Sequence, residues 1–267
     1  MSIVVVATHN AKKAAELHRV LAAAGVDADV RGLDAFAAYP EPAETERTFE
    51  GNALLKARAA AAATGQIAVA DDSGIEVDLL NGMPGVRSAR WSGPDATDQR
   101  NLDLLIAQLT DTEPADRTGR FVCAMAMVTP SGDEHLVRGV MAGRLVLEPR
   151  GGNGFGYDPI FIADGNTVTN AELTPEEKDA ISHRGQAVRA MVPILSEALD
   201  RQAPAEPDEA RRPVEPDEAR RPVEPDEARW PVEPERSGSV EPASVRLVEP
   251  ASDRLVEPVE TPITEEA

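Results

Sequence analysis

Four short segments of the 267-residue chain combine residue types that could bind and hydrolyse a phosphorylated ligand. The first is Thr8-His9-Asn10-Ala11-Lys12-Lys13, which lies between a β-branched run and a helical pattern. A helix N-terminus offers unpaired N–H groups and the positive end of the helix dipole, and the two lysines add charge. This segment predicts a polyphosphate site, although Asn10 capping a helix beside two solvated lysines is a purely structural alternative.

Lysine is scarce in this chain. Of the 27 basic residues, only Lys12, Lys13, Lys56 and Lys178 are lysines, and every other one is arginine. A compact ammonium can approach a single phosphate oxygen without the geometric demands of a planar guanidinium. We therefore expect the lysines to contact phosphate, against the alternative that the bias is compositional chance.

The acidic pair Asp71-Asp72, followed by Ser73-Gly74, comes directly after the apolar run 67–70. Adjacent strand residues point to opposite faces, so two carboxylates at a strand end can have different roles. One would hold a divalent metal ion while the other orients water or accepts its proton, and both are candidate metal ligands. Glu44, Glu46 or Glu50 could supply a further ligand. The alternatives are a polar turn for the pair and helix-dipole compensation for the glutamates.

Glycines and aromatics alternate over 151–159 (GGNGFGYDP). Glycine permits close backbone approach and positive φ, and Phe155 or Tyr157 offers a ring face for base stacking. Lys178 and Ser182-His183-Arg184 follow within about 30 residues and could donate to a base edge or a phosphate. A glycine-rich hairpin that packs its aromatics inward is the alternative.

Hydrophobic periodicity predicts the elements that must position these segments. Strands are predicted at 3–7, 67–70, 121–128 and 136–147, and helices at 12–24, 52–63, 95–109 and about 185–199. Thr48 and Gly65 would bound the second helix, and Thr174-Pro175-Glu176-Glu177 is a capping box. The last two strands would form a hairpin turned at 130–133. This mixture predicts an α/β or α+β domain with a mixed sheet.

Composition divides the chain at about residue 200. The net charge of −20 splits into −11 for residues 1–200 and −9 for residues 201–267, which also hold 12 of the 22 prolines. EPDEARRPV occurs twice over 206–223, EPDEARWPV follows, and VEPASVRL and VEPASDRL span 240–255. We expect a folded domain at 1–200 and a disordered, polyproline-leaning tail at 201–267, either without a role or with a docking role at 229–231.

The charge balance argues against a nucleic acid or an anionic membrane as the main partner. The single cysteine, Cys123, cannot form an internal disulfide, which fits a reducing compartment. The start MSIVVVA is too short for a signal h-region, and no run of about 18 apolar residues exists. We expect a soluble, cytoplasmic protein without a membrane span.

Six motifs in order resemble one known family. They are Thr8–Lys13, Thr48-Phe49-x-x-Asn52-Ala53-x-x-Lys56-Ala57, Asp71–Ile75, Pro84-Gly85-Val86-Arg87-Ser88-Ala89-Arg90, Gly154–Phe161 and Ser182-His183-Arg184. Each is modest alone, but together, over roughly residues 1–200, they look like the inosine/xanthosine triphosphate pyrophosphatase family. The tail matches nothing in that family.

The resemblance implies two lobes around a central nucleotide-binding cleft, a homodimer, and Mg²⁺-dependent hydrolysis of ITP, dITP or XTP to the monophosphate and pyrophosphate. By motif position, Asp72 would accept the proton of the attacking water and lie beside magnesium, and Glu44 would be a further metal ligand. Thr8 to Lys13 and Lys56 would hold the phosphates. The residues expected to line the nucleoside are Ser73, Phe155, Gly156, Tyr157, Asp158, Lys178, His183 and Arg184.

Two other functions remain open at this point. A related class of enzyme uses a similar cleft to hydrolyse pyrimidine or modified-base triphosphates. A non-catalytic nucleotide sensor whose tail recruits a partner is a different class altogether. Pyrophosphate release with and without Mg²⁺ separates an enzyme from a sensor.

Overall fold

A computed structural model describes residues 3–8, 18–23, 25, 28–202 and, as backbone only, 246–247. The predicted phosphate-binding residues His9 to Lys13 and most of the tail therefore lie outside the described residues. Within that part of the chain, seven strands form one sheet in the order β2-β1-β3-β4-β5-β6, with β7 also pairing with β5. The strands are β1 Ile3–Val6, β2 Asp29–Gly32, β3 Ile67–Val77, β4 Thr118–Val128, β5 Glu134–Leu145, β6 Phe161–Ala163 and β7 Arg246–Leu247.

The sheet is mixed, as predicted. β1 is parallel to β2 and β3, whereas β3 to β6 are antiparallel neighbours and β7 runs parallel to β5. The predicted hairpin between β4 and β5 is confirmed. In its turn, Gly132 N donates to Thr129 O, and Thr129 N donates to Asp133 O. β2 and β6 are short strands that the periodicity did not predict.

The prediction that the third strand stops at Ala70 is wrong. β3 continues through the acidic pair to Val77, because each residue from 68 to 77 is paired with a residue of β4. Asp71 lies opposite Met125, and Asp72 lies opposite Ala124. The antiparallel partner satisfies the backbone of these turn-forming residues, so non-local pairing outweighs their local preference for a turn.

Four helices have defined bounds: α1 Phe49–Thr64, α2 Asp98–Leu109, α3 Pro175–Ile181 and α4 His183–Gln202. Residues 18–23 are also helical, within the helix predicted at 12–24. Thr48 caps α1 by accepting from Gly51 N at 3.1 Å, and Gly65 ends it with a φ of 65°. The capping box before α3 is confirmed. α2 begins three residues later than predicted, because Thr97 is its cap.

Three apolar clusters hold the sheet to these helices. One packs β-strand side chains such as Val69 and Met125 against α4, and a second packs Ala70 and Ala124, on the opposite face, against α1. The third gathers the far ends of β3, β4 and β5 with α2 and β6. The change from the first two clusters to the third falls at about Ser73, so two lobes meet there and share the long strands. None of the described helices has the length and apolar composition needed to cross a bilayer.

Candidate active site

A cleft of about 310 Å³ opens where the two lobes meet. The middle of β3 and Lys56 of α1 contribute to one wall, and residues 155–158 with Lys178 of α3 and the start of α4 contribute to the other. The predicted site residues that line it are Thr8, Glu44, Lys56, Asp72, Ser73, Phe155, Gly156, Tyr157, Asp158, Lys178, His183 and Arg184. Both lysines of the described residues, Lys56 and Lys178, are among them.

At one end of the cleft, Lys56 joins two carboxylates. Its Nζ lies 3.2 Å from Asp72 Oδ1 and 3.1 Å from Glu44 Oε1. Asn52, one helical turn before Lys56 on α1, donates from Nδ2 to Asp72 Oδ2 at 3.1 Å and accepts from Glu46 N at 3.0 Å. Asn52 is 1% exposed. It therefore ties Asp72 to the segment that carries Glu44.

Charges at this end hold one another in the ionised state. Burial acts to lower the pKa of Lys56, but the carboxylates of Asp72, Asp71 and Glu44 outweigh burial and raise that pKa above 10.5. Burial likewise acts to raise the pKa of Glu44, but Lys56 and Arg90 outweigh it and lower that pKa below 4.5. Arg90 Nη1 lies 2.6 Å from Glu44 Oε2. Lys56 and Glu44 are consequently both charged at neutral pH.

The donor set at this end fits a hard divalent cation bound mainly by its substrate. Among the described residues, no group of three or more His, Cys, Asp or Glu side chains is placed to hold a metal ion. Asp72 and Glu44 both present carboxylate oxygens to the cleft. Magnesium is bound in nucleotide sites by one or two carboxylates together with phosphate and water oxygens, so these two side chains suffice.

Asp71 lies on the opposite face of β3 from Asp72. Its Oδ2 accepts from Ser73 Oγ at 2.6 Å and from Arg184 Nε at 3.4 Å. The side chains of Asp71 and Arg184 are each 2% exposed, and Asp71 is not among the residues that line the cleft. The two carboxylates are therefore separated as strand alternation requires, with only Asp72 open to a ligand.

At the other end of the cleft, Asp158 organises the glycine-rich segment. It is 2% exposed and accepts from Phe155 N at 2.9 Å, from Lys178 Nζ at 2.6 Å and from Asn170 Nδ2 at 3.3 Å. Gly154 has a φ of 73°, and a Cβ there would lie 2.2 Å from Asp158 Oδ2. Glycine is required at 154 both by the backbone angle and by this close approach.

The two aromatics of this segment differ in accessibility. Tyr157 belongs to the third apolar cluster, and its hydroxyl donates to Ser88 O at 2.8 Å. Burial, with a contribution from Asp98, raises the pKa of Tyr157. Phe155 is half-buried and has Lys178 Nζ 5.0 Å from its ring centroid. Phe155 lines the cleft with its ring only partly buried.

A sequence model of the Ham1 family matches residues 4–194 of this chain. The chain belongs to the Ham1 family. It is 57% identical over 197 residues to the dITP/XTP pyrophosphatase of Cutibacterium acnes, a match that covers 73% of this chain and 97% of that protein. It is 54% identical over 202 residues to the dITP/XTP pyrophosphatase of Nocardia farcinica, covering 75% and 98%.

Solved Ham1 family structures share the fold. A nucleoside-triphosphatase / dITP/XTP pyrophosphatase from Mycobacterium abscessus is 52% identical with a TM-score of 0.60, covering 72% of this chain and 99% of that one. A HAM1 protein from Coxiella burnetii is 40% identical with a TM-score of 0.67, covering 74% and 100%. The family model stops at residue 194, before the repeats that begin at residue 206.

Several residues of this Ham1 family cleft received no role from the sequence. Asn52 and Arg90 stand inside the quoted motifs, and the i, i+4 spacing of Asn52 and Lys56 was a usable signal. Asn101 of α2 accepts from Ser92 N at 2.8 Å and lines the cleft, but a lone asparagine on a helix gives no such signal. Ser88, which also stands inside a quoted motif, lines the cleft, and its Oγ donates to Gly85 O at 2.6 Å.

Proposed function

We propose that this Ham1 family protein hydrolyses the non-standard purine nucleoside triphosphates ITP, dITP and XTP to the monophosphate and pyrophosphate, so keeping them out of DNA and RNA. The observation that carries the proposal is one cleft with two chemically distinct ends. Lys56 with its two carboxylates suits a triphosphate and its cation, and Phe155 with Lys178 and Arg184 suits a purine. The relatives named dITP/XTP pyrophosphatase support the same substrate class.

In the proposed reaction, a water oxygen attacks the α-phosphorus and the bond to the α,β-bridging oxygen breaks, which releases pyrophosphate. Asp72 accepts the proton of the attacking water, and Asn52 and Lys56 hold its carboxylate in position. The raised pKa of Lys56 keeps its ammonium charged beside the phosphates. Positioning and charge neutralisation supply most of the catalysis in such transfers.

Mg²⁺ is the proposed cofactor, and Asp72 and Glu44 are its proposed protein ligands. When bound, the ion would neutralise the triphosphate and the developing charge on the leaving pyrophosphate. The proposal also retains Thr8 and the segment from His9 to Lys13 as phosphate-binding residues. Asp71 does not line the cleft.

Purine selection is proposed to rest on the 6-position of the base. ITP and XTP carry an oxygen there, whereas ATP carries an amino group. Donors from His183, Arg184 or a backbone N–H would pair with the oxygen and would be left unpaired against adenine. An unmet buried polar group of this kind can give about 10⁴-fold rejection.

A substrate panel with pyrophosphate readout tests the proposal. We expect kcat/KM for ITP and XTP to exceed the value for ATP by several orders of magnitude, and we expect activity to disappear when Mg²⁺ is chelated. GTP shares the 6-oxygen, so its exclusion must come from the 2-amino position. Equal values for all four purines would refute the purine-cleaning role while leaving a pyrophosphatase. Preference for a pyrimidine triphosphate would favour the related class, and nucleotide binding without pyrophosphate release would favour a sensor.

The proposal includes a homodimer in the cytoplasm with no nucleic acid or membrane as partner. Leu79 and Met83, in one turn after β3, are 44% and 41% exposed and would be covered by a second copy. Cys123, the single cysteine, is buried and forms no disulfide, which suits a reducing compartment. Light scattering of the purified protein would give the mass expected for two copies.

A further inference from the structure

The two adjacent carboxylates of β3 connect to different ends of the cleft. Asp72 contacts Lys56 on the α1 side of the sheet, which is the proposed triphosphate end. Asp71 points to the other face and contacts Arg184, at the start of α4. The alternation of side chains along a strand dictates this separation, and the absence of a break at the acidic pair preserves it.

Asp71 Oδ2 is the common acceptor of a small buried network. Ser73 Oγ donates to it at 2.6 Å, and Arg184 donates through both Nε and Nη2 at 3.4 Å. Arg184 Nη2 also donates to Ser73 Oγ at 3.3 Å. Because charged groups this deeply buried are held by their partners, the carboxylate fixes both the plane of the guanidinium and the direction of the hydroxyl.

Both partners of Asp71 reach the cleft although Asp71 does not. Ser73 and Arg184 line the cleft, and Arg184 Cζ lies 5.8 Å from the centroid of the Phe155 ring. The group that Asp71 orients is therefore beside the ring available for base stacking. Lys56 and Glu44 mark the other end of the cleft, where a cation and phosphates would bind.

We infer that Asp71 is a positioning residue for purine recognition, which holds Arg184 and Ser73 so that their donors meet the nucleoside, and that it is not a magnesium ligand. The inference rests on the proposed function, because it takes Arg184 as a donor to the 6-oxygen. It replaces the expectation that Asp71 and Asp72 share a metal ion. Within the acidic pair, one carboxylate serves substrate selection and the other serves hydrolysis.

Matched substitutions at the two neighbouring positions test this division. Asp71→Asn and Asp72→Asn make the same chemical change one residue apart, on opposite faces of β3. For each, kcat and KM are measured for ITP and ATP over a range of Mg²⁺ concentrations. Binding of the products IMP and AMP is measured by calorimetry without Mg²⁺, so that recognition is read independently of catalysis and of the ion.

For Asp71→Asn we expect KM for ITP to rise and kcat/KM to fall by about 10- to 100-fold, the value of one or two charge-assisted hydrogen bonds. IMP binding weakens by a similar factor, and the ITP-to-ATP ratio moves toward one. The Mg²⁺ concentration that gives half-maximal rate stays unchanged. Asp72→Asn shows the converse: kcat falls by on the order of 10²- to 10⁴-fold, and the preference for IMP over AMP is retained.

Ser73→Ala provides a second variant that keeps the buried ion pair intact. It removes one hydrogen-bond link to Arg184, so we expect the same direction of change with a smaller size, about 3- to 10-fold in IMP affinity. Thermal denaturation of each variant reports whether the fold is kept. If Asp71→Asn does not fold, the Ser73→Ala result alone decides the inference, and unchanged IMP affinity in that variant overturns it.

Two results with Asp71→Asn would also overturn the inference. A shifted Mg²⁺ requirement with an unchanged IMP-to-AMP ratio would make Asp71 a metal ligand, and unchanged affinities with a lower melting temperature would make it purely structural. Failure of the proposed function looks different, because the wild-type protein itself would then not discriminate ITP from ATP. If the wild type discriminates ITP from ATP and Asp71→Asn discriminates equally well, the inference about Asp71 is wrong while the proposed function stands.

Discussion

At the scale of single residues, the cleft depends on side chains that hold reactive groups as much as on the reactive groups themselves. Asp72 is the proposed proton acceptor, and its two carboxylate oxygens accept from Lys56 and Asn52. Lys56 places a positive charge beside the Asp72 carboxylate, whereas the uncharged amide of Asn52 only orients that carboxylate. Asn52 also binds the backbone of Glu46, so one buried amide aligns both Asp72 and the segment that carries Glu44.

Replacement of this amide should reduce turnover and stability together. In Asn52→Ala, Asp72 loses a fixed donor, and we expect kcat for ITP to fall by on the order of 10- to 100-fold, because small misplacements of a reacting group are costly. The free energy of unfolding should fall by roughly 1–3 kcal/mol, because buried polar groups lose their partner. Steady-state kinetics and urea denaturation measure the two effects.

Asn101→Ala is the matched control for Asn52→Ala. Asn101 is also buried and bonds to the backbone, through Ser92 N and Ala89 O, but it belongs to α2 rather than to the helix beside Asp72. We expect a comparable loss of stability with a clearly smaller change in kcat. Equal losses of kcat in the two variants would contradict a specific alignment of Asp72 by Asn52.

The Glu44–Lys56 pair predicts a pH window for stability. The pKa of Glu44 is lowered in the folded state, so its contribution is present above 4.5 and is lost as pH falls through the folded value. The pKa of Lys56 is raised, so its contribution is present below 10.5 and is lost as pH rises through the folded value. The pair therefore stabilises the fold fully between these limits.

Glu44→Gln should lower the melting temperature at pH 7, and the difference from wild type should shrink as pH falls from 4.5 through the lower pKa of the folded state, below which the wild-type carboxylate is neutral too. Calorimetric scans from pH 3 to pH 8 measure this. Glu113→Gln, at an exposed carboxylate, serves as the matched control for the exchange of Glu for Gln. A constant deficit for Glu44→Gln at every pH would contradict an electrostatic origin.

At the scale of elements, the segment from Gly154 to Asp158 is held by its own carboxylate. Asp158 bonds to Phe155 N within the segment and to Lys178 of α3, so the loop and the helix form one unit beside the cleft. The approach of Gly154 to Asp158 leaves no room for a side chain. Placement of the Phe155 ring therefore depends on a glycine that does not itself line the cleft.

Three alanine substitutions, two within this segment and one at Gly152 just before it, separate the effect of backbone strain from that of steric clash. Gly152 has open space and ordinary φ, Gly156 has open space and a φ of 60°, and Gly154 has both a φ of 73° and a clash with Asp158. KM for ITP should be unchanged in Gly152→Ala, raised modestly in Gly156→Ala, and raised by about 10-fold or more in Gly154→Ala. Equal KM values for the last two variants would show that the clash is irrelevant.

Local patterns predicted the elements that depend on local physics. The capped ends of α1 at Thr48 and Gly65 and the box before α3 follow from helix termini needing partners, and these were predicted correctly. The strand was predicted to end before the acidic pair, because Asp, Ser and Gly disfavour strands locally. Pairing with the distant strand β4, which no local pattern reveals, keeps that stretch extended.

The candidate site shows the same limit. Residue type and spacing singled out Lys56, Asp72 and Phe155, and all three line the cleft. Other ion pairs at the cleft join residues that are far apart in the chain. Arg90 is 46 residues from Glu44, and Arg184 is 113 residues from Asp71. A single sequence carries no signal for such pairs, since they arise only when two lobes fold against each other.

At the scale of the whole molecule, β3, β4 and β5 are long enough to take part in both lobes. The apolar clusters change partners near Ser73, and the cleft opens at that junction. Asp72 of the proposed hydrolytic end and Ser73 of the proposed recognition end are thereby neighbours on the same strand, β3. This arrangement fixes the distance between the proposed hydrolytic and recognition ends without requiring either lobe to move.

The described cleft-lining residues all precede the repeats in the chain, so removal of the repeats should leave catalysis intact. The cleft-lining residues fall between Ala7 and Arg184, and α4 ends at Gln202. A chain ending at residue 202 loses the two-residue strand β7, which pairs with β5 at His135 and Leu136, away from the cleft. We expect its kcat for ITP to stay within about twofold of the full chain, and a loss of tenfold or more would show that the tail contributes to turnover.

Charge gives the tail one expected effect on substrate capture. Residues 203–267 hold 8 basic and 18 acidic side chains, so truncation changes the net charge from −20 to −10. A less negative protein repels an anionic triphosphate less, so kcat/KM should rise modestly at low ionic strength and match the full chain at high salt. A chain with neutral Gly-Ser units of equal length in place of the repeats should behave like the truncated one. If it behaves like the full chain instead, the effect comes from the length of the tail rather than from its charge.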